Sequence, residues 1–85
     1  MSKTPLKIIL GKRLREIRVS RGLTQEGLAE LLGVTPRYLA GIERGERNLT
    51  LDSIDSLADQ LGVESAALLA GDVREDSGSA AVSPS

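Results

Sequence analysis

The chain contains no cysteine, no histidine, no phenylalanine and no tryptophan, and Tyr38 is its one aromatic residue. Without Cys there is neither a disulfide nor thiol chemistry, and without Cys or His the usual zinc ligand sets are gone. Nor is there a phosphate-cradling glycine loop or a cluster of carboxylates in the basic half, so an enzyme is poorly supported. No cofactor and no metal are expected. No apolar run approaches the roughly 18 residues of a membrane span, and no secretory pattern opens the chain, so a cytoplasmic protein without a membrane partner is expected. Lacking large aromatics, the core has to come from Leu, Ile, Val and Ala. A length of 85 residues suffices for one small domain with a modest core.

The net charge of −1 hides a division. Residues 1–47 hold ten Lys or Arg against five Asp or Glu, whereas residues 48–85 hold one against seven. A molecule divided this way can offer a basic face to phosphate while its other side repels it. Ordinary charge patterning on helix surfaces is the competing reading.

Helical spacing runs through most of the chain, and neither a strand pattern nor an internal repeat is present. Leu10, Leu14 and Ile17 recur at helical intervals from Leu6 to about Ser20, with Gly22 as a C-terminal cap. A second helix is expected over Gln25–Leu32 and a third over Pro36–Arg44, closed by Gly45. Thr50 caps a fourth, about Leu51–Leu61, with Ile54, Leu57, Ala58 and Leu61 inward and Gly62 as its stop. A short fifth, about Ser65–Ala70, carries Leu68 and Leu69. Residues 1–5 are expected to fray. The last stretch, 71–85, is small, polar and aperiodic, and is expected to be a disordered tail. One domain over residues 6–70 follows.

The segment QEGLAELLGVTPRYLAGIER, Gln25 to Arg44, is the most informative. Thr24 and Thr35 each stand where a hydroxyl can cap the free N–H groups of a helix start. Pro36 falls at a first helical position, where its missing N–H is harmless. Leu28, Ala29, Leu31, Leu32, Val34, Leu39 and Ile42 form one inward face. Pro36, Arg37, Tyr38, Gly41 and Arg44 face outward. A short helix with polar and basic groups outward is what the major groove of DNA accommodates.

Read with its flanks, RLREIRVSRGLTQEGLAELLGV followed by TPRYLAGIERGERNLTLDSIDSLADQLGV, the segment resembles the helix-turn-helix family of phage repressors, Cro proteins and xenobiotic-response-element-type bacterial regulators. RGLTQ, LA, the Gly33 turn, IERG and LADQLGV agree in order and spacing over residues 13–63. Within that family, YLAGIERGERN looks most like the controller proteins of restriction-modification systems. The resemblance implies an all-α, five-helix lambda-repressor-like DNA-binding domain, with its helix-turn-helix in the second and third helices. It also implies double-stranded DNA as partner and a place at the nucleoid.

Arg37, near the start of the third helix, is the first candidate for base reading, because its fork can donate two hydrogen bonds to guanine. A phosphate contact is the competing role. Thr35 and Pro36 flank it and can supply a hydroxyl and an apolar contact. Tyr38 can set its ring against the sugar-phosphate wall, or pack on the second helix. Gly41 reads as a close backbone approach or as plain tolerance, and Arg44 favours the helix dipole and can reach the DNA backbone. The resemblance assigns a phosphate to Gln25 at the start of the second helix, a natural anion site that Thr24 can share. It also places Arg47 on a base or phosphate and Asn48 on a phosphate, with loop capping by Asn48 as the alternative. Arg18 and Glu43 match a family pair that forms a buried ion pair. The sequence departs from the family at Gly27, which forfeits a capping box with Thr24, and at Glu64, which weakens the fifth helix start.

One short helix reads few base pairs, so two copies are expected, about 34 Å apart on a palindromic site. Leu49, Val63, Leu68 and Leu69 are the candidates for pairing, with core packing as the alternative for the fifth helix. The expected function is sequence-specific regulation of transcription by a homodimer, with RNA polymerase or another regulatory protein as a candidate further partner. The alternative is an antitoxin or adaptor whose main work is protein binding.

Overall fold

Thr24, Thr35 and Thr50 each stand in extended backbone one residue before a helix. Each offers its Oγ1 to an N–H three residues on: Gly27 at 2.9 Å, Tyr38 at 3.0 Å and Ser53 at 3.1 Å. Each such cap adds typically about 1 kcal/mol and fixes where its helix begins. The computed structural model describes residues 4–70 as five helices: α1 Leu6–Ser20, α2 Gln25–Leu32, α3 Pro36–Glu43, α4 Leu51–Leu61 and α5 Ser65–Leu68. Among the described residues no strand is present. The expected tail, 71–85, lies outside the described residues, as do residues 1–3 of the expected frayed N-terminus.

The ends follow local chemistry. Gly33 closes α2 at φ 73°, a conformation that L side chains rarely adopt, and lets the N–H of Val34 reach the Ala29 carbonyl at 3.0 Å. This left-handed residue turns the chain from α2 into α3. Two boundaries differ from expectation. Arg44 is the cap of α3 rather than its last residue, and α5 stops at Leu68, two residues early. Glu64 makes no side-chain cap, so α5 begins unassisted.

The core is aliphatic: Leu10 and Leu14 from α1; Leu28, Ala29 and Leu32 from α2; Leu39 and Ile42 from α3; Ile54, Leu57, Ala58 and Leu61 from α4; and Leu68 from α5. Removing one such leucine side chain would cost about 2–5 kcal/mol, a large share of a small domain's stability. α3 packs on α1 and α2, α4 on α2 and α5, and α5 returns to α1. Two expectations are overturned by the packing. Leu31, expected inward, is 44% exposed. Successive helical residues turn about 100°, which leaves Leu31 that far from the centre of the Leu28–Ala29–Leu32 stripe. Leu68, nominated for pairing, is wholly buried inside the single chain. It sits in the core because four-residue α5 has no other side chain that reaches in.

Three further residues set the packing, and none is legible from spacing. Gly11 is where α1 meets the end of α3: a Cβ there would lie 2.3 Å from the Ile42 carbonyl oxygen and 2.8 Å from that of Glu43. Nothing larger than hydrogen fits. Arg13 donates through Nε to the Ala67 carbonyl at 3.0 Å, and Arg21 through Nη2 to the Leu61 carbonyl at 2.8 Å. Both cations therefore serve the carbonyl-rich ends of α5 and α4, where positive charge is favoured.

Candidate nucleic-acid interface

α3 presents its first turn to solvent because its apolar side is already spent on the core. Thr35, Pro36 and Arg37 are exposed, while Leu39 and Ile42 are buried beneath them. The Thr35 oxygen accepts from Tyr38 N–H, which leaves its O–H proton available to donate outward. None of the three ion pairs among the described residues uses Arg37. Its five N–H donors stand ready for an external acceptor.

The rigidity behind this surface comes from a cluster that joins three helices. Arg18 on α1 donates from Nε to Glu43 Oε2 at 2.8 Å and from Nη2 to Oε1 at 3.2 Å. Its Nη1 donates to the Leu23 carbonyl at 3.0 Å, ahead of α2. Gln25, the first residue of α2, adds Nε2 to Glu43 Oε1 at 3.0 Å. The Arg18 and Glu43 side chains are only 13% and 4% exposed, so solvent screens the pair little. The bonds to Glu43 raise the Arg18 pKa above its ordinary value. The start of α2 is thereby fixed to the end of α3. Gln25 spends one amide hydrogen on Glu43 and keeps the other, together with its carbonyl oxygen.

Past α3 the chain folds back on itself. Glu46 N–H donates to the Gly41 carbonyl at 3.0 Å. Arg44 grips Glu46 with two bonds, Nε to Oε2 at 2.9 Å and Nη2 to Oε1 at 3.1 Å. The Arg44 charge is thus partly answered within the chain, a partner the sequence reading missed. Hydrogen bonding to Arg44 holds the exposed Glu46 carboxyl below its usual range. Gly41 is not an open position: it is buried under Arg47, whose guanidinium carbon stands 4.9 Å from the Tyr38 ring centroid. Tyr38 is half-buried against the core, so the two roles weighed for its ring are not exclusive. Asn48 is exposed in the loop before α4, whose N-terminal cap is Thr50.

Elsewhere the surface divides. Asp52, Asp55, Asp59 and Glu64 are exposed on α4 and the turn after it, and line a shallow depression with Val63. A groove lined by Leu10, Leu49, Ile54 and Leu69 lies between the start of α1 and the start of α4. Leu6 and Leu51 at its edge are 61% and 76% exposed. The four residues expected to pair therefore separate: Leu49 and Leu69 line the groove, Val63 lies in the acidic depression and Leu68 in the core. Among the described residues no group of three metal-ligating side chains occurs, and no helix is long and apolar enough to cross a membrane.

Residues 14–68 match the family model described as helix-turn-helix. The chain is 37% identical over 65 residues to the control protein C.BamHI of Bacillus amyloliquefaciens, covering 75% of this chain and 80% of that protein. The crystal structure of the restriction-modification controller protein C.AhdI of Aeromonas hydrophila superposes with a TM-score of 0.66 and 45% identity, covering 73% of this chain and 94% of that one. A structure of the C.Esp1396I nucleoprotein complex gives a TM-score of 0.65 at 32% identity, covering 78% of this chain and 86% of that one.

Proposed function

The chain belongs to the helix-turn-helix family, and we propose that it is a sequence-specific DNA-binding regulator of transcription, acting as a homodimer on a palindromic operator. One observation carries this: the first turn of α3 is exposed and uncommitted, on a frame locked by Arg18, Glu43 and Gln25. Preorganised donors lose less freedom on binding, which is what groove recognition rewards. The nucleoprotein structure of C.Esp1396I supports DNA as the partner of this fold.

In this reading Thr35, Pro36, Arg37 and Arg47 address base edges. Thr24, Gln25, Tyr38, Arg44 and Asn48 address the sugar-phosphate backbone. The capped start of α2 adds its partial positive charge to the Gln25 contact. No step is catalytic, and the work is done at the nucleoid in the cytoplasm. A promoter-bound dimer would repress by occluding polymerase or activate by touching it.

Pairing runs through the groove between α1 and α4. Leu51 and Leu6 are the most exposed large apolar side chains of the described residues, and they flank Leu49 and Leu69. The groove adjoins Arg47 and Asn48, so a two-fold axis there brings the two loops together beside the DNA.

Purified protein titrated onto a fluorescent random-sequence duplex tests the reading. Binding is expected in about 50 mM salt and should weaken linearly on logarithmic axes as salt rises, with a slope that counts phosphate contacts. Absence of binding at that salt would overturn it.

A further inference from the structure

We propose that Gly41 and Tyr38 form a seat that holds Arg47 in position to read DNA, which makes the missing side chain at Gly41 a determinant of specificity. This rests on the DNA-binding reading above.

A long arginine on a connecting loop would normally sample many rotamers and lose that freedom on binding. Arg47 is placed instead by three features of α3. Its guanidinium carbon lies 4.9 Å from the Tyr38 ring centroid, within the range of a cation–π contact. Its stem crosses the helix at Gly41, where a Cβ would come 3.1 Å from Nε and 3.3 Å from Cγ. The loop itself is anchored by the bond from Glu46 N–H to the Gly41 carbonyl. Tyr38 and Gly41 are three residues apart, hence neighbours on one helix face, one supplying a surface and the other a gap. The nearby Glu46 carboxylate feels the Arg47 charge but accepts its hydrogen bonds from Arg44, so the Arg47 N–H donors remain for an external acceptor. A Cβ at 41 would press on the Arg47 stem and force it to give by a few tenths of an ångström, and a longer side chain there would compete with it for the ring face.

The test is a double-mutant cycle, read by fluorescence anisotropy on the duplex recovered when wild-type protein selects from a random pool. Gly41→Ala should weaken binding about 2- to 5-fold, the worth of an exposed cation–π contact. Gly41→Gln, which fills the seat, should lose more. In Gly41→Ala the helix preference of alanine (about 1 kcal/mol) offsets the weakened ring contact, so the melting midpoint should stay near that of the wild type and the lost affinity is then not misfolding. On an Arg47→Ala background, Gly41→Ala should change affinity no further. In the free protein, the Arg47 Nε–Hε proton should be shifted upfield by the Tyr38 ring. That shift should vanish in Tyr38→Leu and persist in Tyr38→Phe. An equal loss on the Arg47→Ala background, or no loss with Arg47 present, would overturn the seat while leaving DNA binding intact. Failure of the wild type to select any duplex would overturn the DNA reading, and the role of the seat with it.

Discussion

Arg18 and Glu43 meet across the α1–α3 contact through two hydrogen bonds, at 2.8 and 3.2 Å, beside the point where Gly11 lets the two helices touch. The pair is nearly sealed from solvent, and Gln25 leans on the same carboxylate. Removing either charge would strand the other in a poorly solvated place. Arg18→Ala should therefore lower unfolding free energy by about 3–5 kcal/mol, measured by urea denaturation. An unchanged midpoint would show that the pair contributes little.

Gly11→Ala should be more severe than its modest chemistry suggests. The new methyl would overlap the Ile42 and Glu43 carbonyl oxygens, which are backbone and cannot swing aside. α1 and α3 must then separate, displacing the Arg18–Glu43 pair too. A loss on the order of 3 kcal/mol or more is expected in thermal denaturation, within the overpacking range or above it. A stabilised Gly11→Ala protein would contradict the close approach.

Much of this framework is legible in the sequence. Thr24, Thr35 and Thr50 sit where caps belong, and Gly33 and Gly62 where helices stop, so the starts of α2, α3 and α4 and the stops of α2 and α4 follow from local chemistry alone. The Arg18–Glu43 pairing follows only from family resemblance. What escaped the sequence depends on approach between distant segments. Gly11, Gly41 under Arg47, and the carbonyls held by Arg13 and Arg21 have no periodic signature. The position of Leu31 was a matter of degree along a helix turn. Leu68 carries an apolar side chain that suits a core or an interface equally, and only the packing of α5 on α1 and α4 buries it.

Arg37→Ala should relax preference at one base pair in each half-site, by about 1–3 kcal/mol, in competition binding with single-base variants. A uniform loss across all sequences would make Arg37 a phosphate contact. Gln25→Ala should behave in the opposite way, weakening every sequence alike with the consensus unchanged.

Glu46 restrains Arg44, so Glu46→Gln should tighten DNA binding and steepen the salt dependence by about one contact per subunit. Because the Glu46 pKa is lowered in the fold, the pair is intact above the ordinary glutamate range and is lost as pH falls through the lowered value. Carbon NMR should find Glu46 titrating below that range, and returning to it in Arg44→Ala. If Glu46→Gln leaves the salt slope unaltered, Arg44 does not reach the backbone.

Leu51→Asp should yield a folded monomer in sedimentation equilibrium, since Leu51 is 76% exposed and supports nothing inside its own chain. DNA affinity should fall steeply with the loss of the second half-site. A dimer that survives Leu51→Asp would place the pairing surface elsewhere.

The most direct measurement is selection of bound duplexes from a random pool by the wild-type protein, followed by alignment of the recovered sequences. A motif of two inverted half-sites, centred about one helical turn apart, is expected. Recovery of no enriched sequence, or of a motif that Arg37→Ala leaves untouched at every position, would contradict reading by the first turn of α3.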